Sequence, residues 1–582
     1  MNKYYQVLCL FGLVLSFSAQ SQYSRYIILL KNKNGSPYSI SNPSAYLSSK
    51  AIARRDRYKI AIDSTDLPVN PAYLDSIRAV PNVVILNVSK WLNQVCIKTT
   101  DPATALATIN AFSFVRISNP IAVRMMQPPS TDTSAKFEAF SQQPAPLRVN
   151  DIMSPFGITG TQDFYNYGSN FGQVHIHEGE YLHDLGFHGE GMTIAMLDAG
   201  FNNYLFNPAF DSLRLNNQVL GTYDYVASEQ SVNEDNGHGA YCLSIMAANE
   251  PGKIVGTAPK AKYWLLRTED VATEYPVEEQ NWVAAAEFAD SAGVDLITTS
   301  LGYSSFDDHS FDHSYAQRDG KTAISSIGAS LAVKKGILVT ASAGNSGTST
   351  TDAKYVGVPA DADSVFTIGS TDVNGNISSF SSWGPNGAGS LKPNVVSVGG
   401  PAVAASLTTG NPITGNGTSF SNPNLCGLIA CLWQAFPAFS NREIMDAVQR
   451  SSSKYANPDY HFGYGIPNMR LAYLDLQQQQ QQRQQQQLIN YYQQVLGNNW
   501  IKAYPVPFTS NLSVLLKAPV TGNSSLRLID MNGRTIEIKN TEVQQNTIYT
   551  ISFDKLKLIS RGVYTVQYND GKNRISLRVI KQ

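Results

Sequence analysis

The chain has 582 residues, with 44 Lys and Arg against 45 Asp and Glu, a net charge of -1 and 43% hydrophobic residues. That length exceeds one core and predicts roughly three to four domains, while the even charge leaves no basic footprint for nucleic acid. No stretch holds the ~18 consecutive apolar residues that a membrane-spanning helix needs.

Residues 1–21 place Lys3 ahead of an apolar run over 7–17 and end on Ser18-Ala19-Gln20-Ser21, the three parts of a secretory signal. Cys9 falls too early in it to be a lipoprotein cysteine. Residues 22–126 read as a small α+β module, with strands over 26–30 and 82–88 and helices over 44–57 and 103–112. Gln127-Pro128-Pro129 opens a polar linker over 127–163.

The large domain, 164–476, changes pattern at Gly191 to short apolar runs alternating with helical ones, the mark of a parallel α/β sheet. Strands are predicted over 192–197, 263–266, 294–299 and 337–341, and helices over 277–292 and 325–335. The run 425–436 is almost wholly apolar and reads as a buried helix, with Ser419 just before it and Pro423 in its opening turn. Residues 477–497 hold a Gln tract broken by Arg483, a linker or frayed helix. From 498 to 582 short strands and turns return as a small β-sandwich.

Chemistry concentrates in three distant segments: Leu197-Asp198-Ala199-Gly200, Gly237-His238-Gly239 and Gly417-Thr418-Ser419. An acid, a base and a nucleophile in that chain order match one of the known orders for a serine-protease triad. Between the last two lies Ser342-Ala343-Gly344-Asn345, where Asn345 is a side-chain donor suited to an oxyanion beside the Ser419 N–H. Ser300-Leu301-Gly302 is a candidate edge for an extended substrate, with Ala343 and Gly344 facing it. All these residues fall at predicted strand ends, where open α/β sheets place their sites.

These segments, with Gly256-Thr257-Ala258-Pro259, Phe380-Ser381-Ser382-Trp383-Gly384-Pro385 and Gly415-Asn416-Gly417-Thr418-Ser419-Phe420-Ser421-Asn422-Pro423, resemble the subtilisin-like serine proteases over roughly 191–471. The resemblance implies a three-layer α/β fold around a mainly parallel sheet and a secreted endopeptidase acting through an acyl-enzyme. It implies no cofactor for the chemistry, with structural calcium compatible. Ser89-Lys90-Trp91-Leu92-Asn93 makes 22–126 resemble the propeptide of this group, a folding chaperone and inhibitor. Tyr504-Pro505-Val506-Pro507-Phe508, Leu528-Ile529-Asp530-Met531-Asn532-Gly533 and the basic end 574–581 resemble the type IX secretion sorting domain of Bacteroidota. The expected partners are therefore protein or peptide substrates, the chain's own propeptide and the secretion machinery, for a monomer at the cell surface or outside it.

Departures from the pattern are Ala199 after the acid, Ala240-Tyr241 after His238, and Asn424 after Pro423. Ser346 stands where some relatives carry an acid, which favours a neutral or apolar pocket. The changes around His238 also support a competing reading, an inactive binding or surface protein on the same fold. His175, His177, His183 and His188, with Glu178, Glu180 and Asp184, offer zinc-type ligands without a His-Glu-x-x-His spacing. Asp307, Asp308 and Asp312 offer calcium-type oxygens in no specific pattern. Of the five cysteines, Cys242 and Cys426 lie on helices expected to pack together, which would allow one bridge, and buried free thiols are the preferred reading.

Overall fold

The computed structural model describes residues 23–123, 140–144, 163–234 and 236–582. The predicted signal and most of the predicted linker lie outside the described residues. By contacts the chain forms two units, one ending at Leu474 and one beginning at Asp475.

The first unit opens with β1 (Tyr23–Leu30), α1 (Ser49–Tyr58), α2 (Pro71–Arg78), β2 (Val83–Ser89), β3 (Gln94–Thr99), α3 (Pro102–Asn110) and β4 (Val115–Val123). The strands form an antiparallel sheet in the order β2-β3-β1-β4. Each helix starts on a polar cap: Ser48 accepts from the Ala51 N–H, Asn70 from Ala72 and Asp101 from Thr104. Period-2 alternation gives the sheet two apolar faces. Ile28, Val95 and Ile97 pack on Ile77 and Ile109, whereas Ile27 and Cys96 turn to Tyr275 and Val277 of the large domain. The α2, β3 and β4 elements add to the two strands and two helices predicted here. The predicted helix over 44–57 is a short 3-10 turn followed by α1.

A described piece of the linker, β5 (Phe140–Pro144), precedes the large sheet. That sheet takes β6 (Thr193–Asp198), β7 (Val219–Asp224), β8 (Lys262–Arg267), β9 (Leu296–Thr299), β10 (Leu338–Ser342), β11 (Phe366–Thr371) and β12 (Val395–Val398). Its order is β12-β11-β10-β9-β6-β8-β7, and every pair is parallel. Buried on both faces, its central strands are continuous apolar runs. The helices that matter for the site are α4 (His238–Ala247), α5 (Val277–Ala292), α6 (Ile324–Lys334) and α7 (Thr418–Ala435). A hairpin of β13 (Ala402–Ala405) and β14 (Pro412–Gly415) leads into α7, and β5 pairs antiparallel with β14.

The N-terminal module docks on α5 through polar side chains that α5 carries inward. Glu287 accepts from the N–H groups of Lys90 (2.7 Å) and Trp91 (3.0 Å). Asp290 pairs with Arg54 at 2.5 Å and Arg55 at 2.8 Å, all three side chains being buried. Gln94 donates to Gln280 at 2.6 Å.

In the second unit the Gln tract is helical within α8 (Met469–Leu496). Beyond it are β15 (Ile501–Tyr504), β16 (Leu512–Lys517), β17 (Gly522–Asp530), β18 (Thr535–Val543), β19 (Ile548–Phe553), β20 (Gly562–Asn569) and β21 (Arg574–Lys581). Two antiparallel sheets, β15-β16-β19 and β18-β17-β20-β21, enclose one core that includes Val514, Leu516, Leu528 and Val566.

Candidate functional site

The C-terminal ends of three neighbouring strands aim at one place. Asp198 is the last residue of β6, Ser300 follows β9, and Asn345 follows β10 after Ser342. Asp198 is buried, and its Oδ1 accepts from the Ala199 N–H at 2.8 Å and sits 2.7 Å from His238 Nδ1. His238 opens α4, where its own N–H donates to Asn236 Oδ1 at 2.7 Å. Gly239 lets this helix approach so closely: a Cβ there would lie 2.5 Å from Gly200 O and 2.9 Å from Asp198 Cβ.

Ser419 lies inside the first turn of α7, not just before a helix beginning at 425 as its sequence suggests. The turn was hidden because its residues are polar; they are buried, and the amide groups of Asn422 and Asn424 donate to partners distant in sequence. Asn422 donates to Thr299 O at 2.9 Å, and Asn424 to Gln173 O at 2.8 Å. Pro423 stands where the helix would return an N–H to the Ser419 carbonyl. That carbonyl instead accepts from Ser300 Oγ at 2.9 Å and Cys242 Sγ at 3.3 Å. Ser419 Oγ in turn lies 3.4 Å from Ser300 O.

Asn345 turns its side-chain carbonyl to Thr418, accepting from the backbone N–H at 2.8 Å and from Oγ1 at 2.9 Å. Its amide end is thereby the one directed elsewhere. Ser300, Leu301, Gly302, Ala343, Gly344, Asn345 and Ser419 line one cavity of about 900 Å³. Leu301 buries its side chain in the core under the sheet, so it offers the cavity its backbone.

The other candidate groups separate. His177 bonds Pro467 O and Ser397 Oγ, and burial pushes it down to about 4. His183 bonds Tyr167 Oη and Thr257 O and is likewise lowered to about 4 by burial. His175 pairs with Glu180 and His188 with Glu190. Among the described residues none of these histidines belongs to a group with shared ligand distance. Asp308 and Asp312 accept from nearby N–H groups, Ser310 and Phe306. The carboxylates that do come together are Glu269, Glu274 and Glu278, a trio the sequence did not single out. Cys96, Cys242, Cys426 and Cys431 are buried free thiols.

Residues 189–465 match the model of the Subtilase family, peptidase S8. Residues 25–136 match the Bacteroidota peptidase S8 propeptide domain, and 502–582 the secretion system C-terminal sorting domain. Subtilisin E of Bacillus subtilis (strain 168) is 28% identical over 294 residues, which is 50% of this chain and 68% of the relative. M-protease of Shouchella clausii is 27% identical over 293 residues, 50% of this chain and 66% of the relative. The crystal structure of fervidolysin from Fervidobacterium pennivorans, a keratinolytic enzyme related to subtilisin, superposes with a TM-score of 0.52 at 16% identity. It covers 95% of this chain and 71% of that one, and it shows a shared subtilisin-like fold.

Proposed function

We propose that Asp198, His238 and Ser419 are the catalytic triad of this serine-type endopeptidase, which is built on a subtilase domain, made with its own propeptide domain and exported through the outer membrane by its sorting domain. The observation that carries this reading is the buried 2.7 Å Asp198–His238 bond at the head of α4, the helix packed against the first turn of α7 where Ser419 sits.

Free serine is almost wholly protonated at neutral pH, so attack needs a base. His238 Nε2 takes the Ser419 Oγ proton as Oγ bonds to the substrate carbonyl carbon. The same proton passes to the leaving amine as the C–N bond breaks, leaving an acyl-enzyme that water cleaves by the reverse route. Asp198 holds the tautomer with Nδ1–H and stabilises the imidazolium. The Asn345 amide and the Ser419 N–H, at a helix amino terminus, receive the oxyanion. An extended substrate adds along Ser300-Leu301-Gly302, opposite Ala343-Gly344. The segment 22–126 acts as inhibitor until it is removed, with the peptidase over 164–476 and sorting over 498–582.

Fluorophosphonate labelling of the secreted chain beside a Ser419→Ala variant, read by mass spectrometry of the adduct and the termini, tests this. An adduct on Ser419 of a shortened chain, absent in the variant, is expected. A folded, processed chain that takes no label would instead favour the inactive binding protein.

A further inference from the structure

The cavity that holds Ser419 also carries a buried cation. Arg318 lines it, is 4% exposed, and reaches the loop after β10 through the carbonyls of Asp352 and Tyr355. A guanidinium has five N–H donors. Here one on Nη1 goes to Tyr355 O at 3.2 Å and one on Nη2 to Asp352 O at 2.9 Å, both backbone carbonyls. Among the described residues Nε has no partner, and the Tyr315 ring lies 5.7 Å from the guanidinium carbon. The guanidinium is thus taken out of water without an ion pair, although buried charges are ordinarily paired.

Nearby charges act on it through space, but none among the described residues makes an ion pair with it. Asp352 lines the same cavity; it is exposed, its backbone oxygen accepts from Arg318, and its carboxylate acts on the guanidinium only at a distance. Asp361 faces Arg318 from behind, where it is engaged by the Gly320 N–H and Ser326 Oγ. His313 lines the cavity paired with Glu279 at 2.7 Å. Glu269 accepts from Tyr303 Oη at 3.1 Å and the Glu274 N–H donates to Asp307 at 3.1 Å, so both residues sit beside the segment after β9. Arg318 is therefore the buried cation of a cavity that also carries Glu269, Glu274 and Asp352.

Resting on the reading of Ser419 as nucleophile, we propose that Arg318 selects a carboxylate side chain, Glu or Asp, at the substrate residue whose carbonyl Ser419 attacks. A bidentate carboxylate satisfies the planar donors left over and supplies the counter-charge the pocket lacks. The proposed charge comes from a residue after β9 rather than from position 346, and the proposal thereby differs from the neutral or apolar pocket expected from Ser346.

The test is kcat/KM of the matured full-length product on four peptide p-nitroanilides differing only in the last residue: Glu, Gln, Leu or Lys. Glu is expected to exceed Gln by about ten- to a hundredfold, the worth of one charge-assisted hydrogen bond in a desolvated site. Arg318→Met, similar in length and uncharged, should abolish that ratio and raise cleavage after Leu, while fluorophosphonate labelling of Ser419 persists. The wild-type ratio decides the question even where the variant fails to mature. Preference for Leu or Gln overturns the proposal, and preference for Lys transfers the pocket to Asp352. If Ser419 takes no label, the protease reading itself fails; if it labels and Leu is best, only this inference does.

Discussion

Glu287 makes the docking of the propeptide domain on α5 depend on pH. The side chain is fully enclosed between α5 and the turn after β2, and burial raises its carboxyl from 4.5 to about 7 against the opposing pull of Ser89, Lys90 and Trp91. A carboxyl whose bound value is raised stabilises the docked state fully below its free value, and that contribution is lost as pH rises through the bound one. Between pH 5 and pH 8 the loss amounts to about 2.5 kcal/mol at 1.4 kcal/mol per unit, most of it below pH 7. The measurement is chemical denaturation of the full chain carrying Ser419→Ala, which prevents processing, with and without Glu287→Gln. The parent should lose stability steadily over that range. The Gln variant keeps the shape without the proton, and its curve should be flatter by about that amount. Parallel curves for the two proteins would refute the assignment of the linkage to Glu287.

Asp198→Asn should lower kcat on a peptide substrate by about 10⁴ with KM nearly unchanged, because it removes the tautomer and not the fold. Asn345→Ala should cost about 10² to 10³ in kcat, again without a matching rise in KM. Asp290→Ala leaves Arg54 and Arg55 buried beside no shared counter-charge; a loss of about 3–5 kcal/mol should show as little matured protein in the medium, while Asn at the same position recovers part of it. His177 and His183, both held neutral at about 4 by burial, should make the chain lose stability as pH falls from about 6.5 toward 4, and His177→Gln should blunt that slope in acid denaturation.

The sheet was legible because its strands, covered on both faces, are short continuous apolar runs, and the residues after β6, β9 and β10 then fall at one sheet edge without further information. The start of α7 was not, because Thr418, Ser421, Asn422 and Asn424 are polar yet buried. Burial there depends on partners such as Thr299 and Gln173, which no local pattern reveals. β4 was missed for another reason: it is an edge strand carrying Ser118-Asn119-Pro120, and Pro is tolerated at an edge while it hides the alternation. Gln favours helix as strongly as many charged residues do, so of the two readings of the tract, linker or frayed helix, the helical one holds and the tract continues α8. Arg318 carried no signal at all, since a lone Arg after an acidic loop is ordinarily a solvated residue and its burial is a property of the fold.

The departures around the triad bear on whether this site works, and the bonds that hold it are informative. Asp198 is oriented by the backbone N–H of Ala199, so the identity of that side chain does not enter. His238 is fixed by Asp198 on its ring and by Asn236 on its backbone, and neither bond passes through the side chains of Ala240 or Tyr241. Ser300 touches Ser419 twice, its hydroxyl on the Ser419 carbonyl and its own carbonyl near Ser419 Oγ. The first of these contacts is open to Ser300 because Pro423 withholds the helical N–H from the Ser419 carbonyl. The nucleophile and the substrate edge are thereby tied to each other, and the altered positions lie outside the tie. The departures at Ala240, Tyr241 and Asn424 should accordingly leave Asp198, His238 and Ser419 in register.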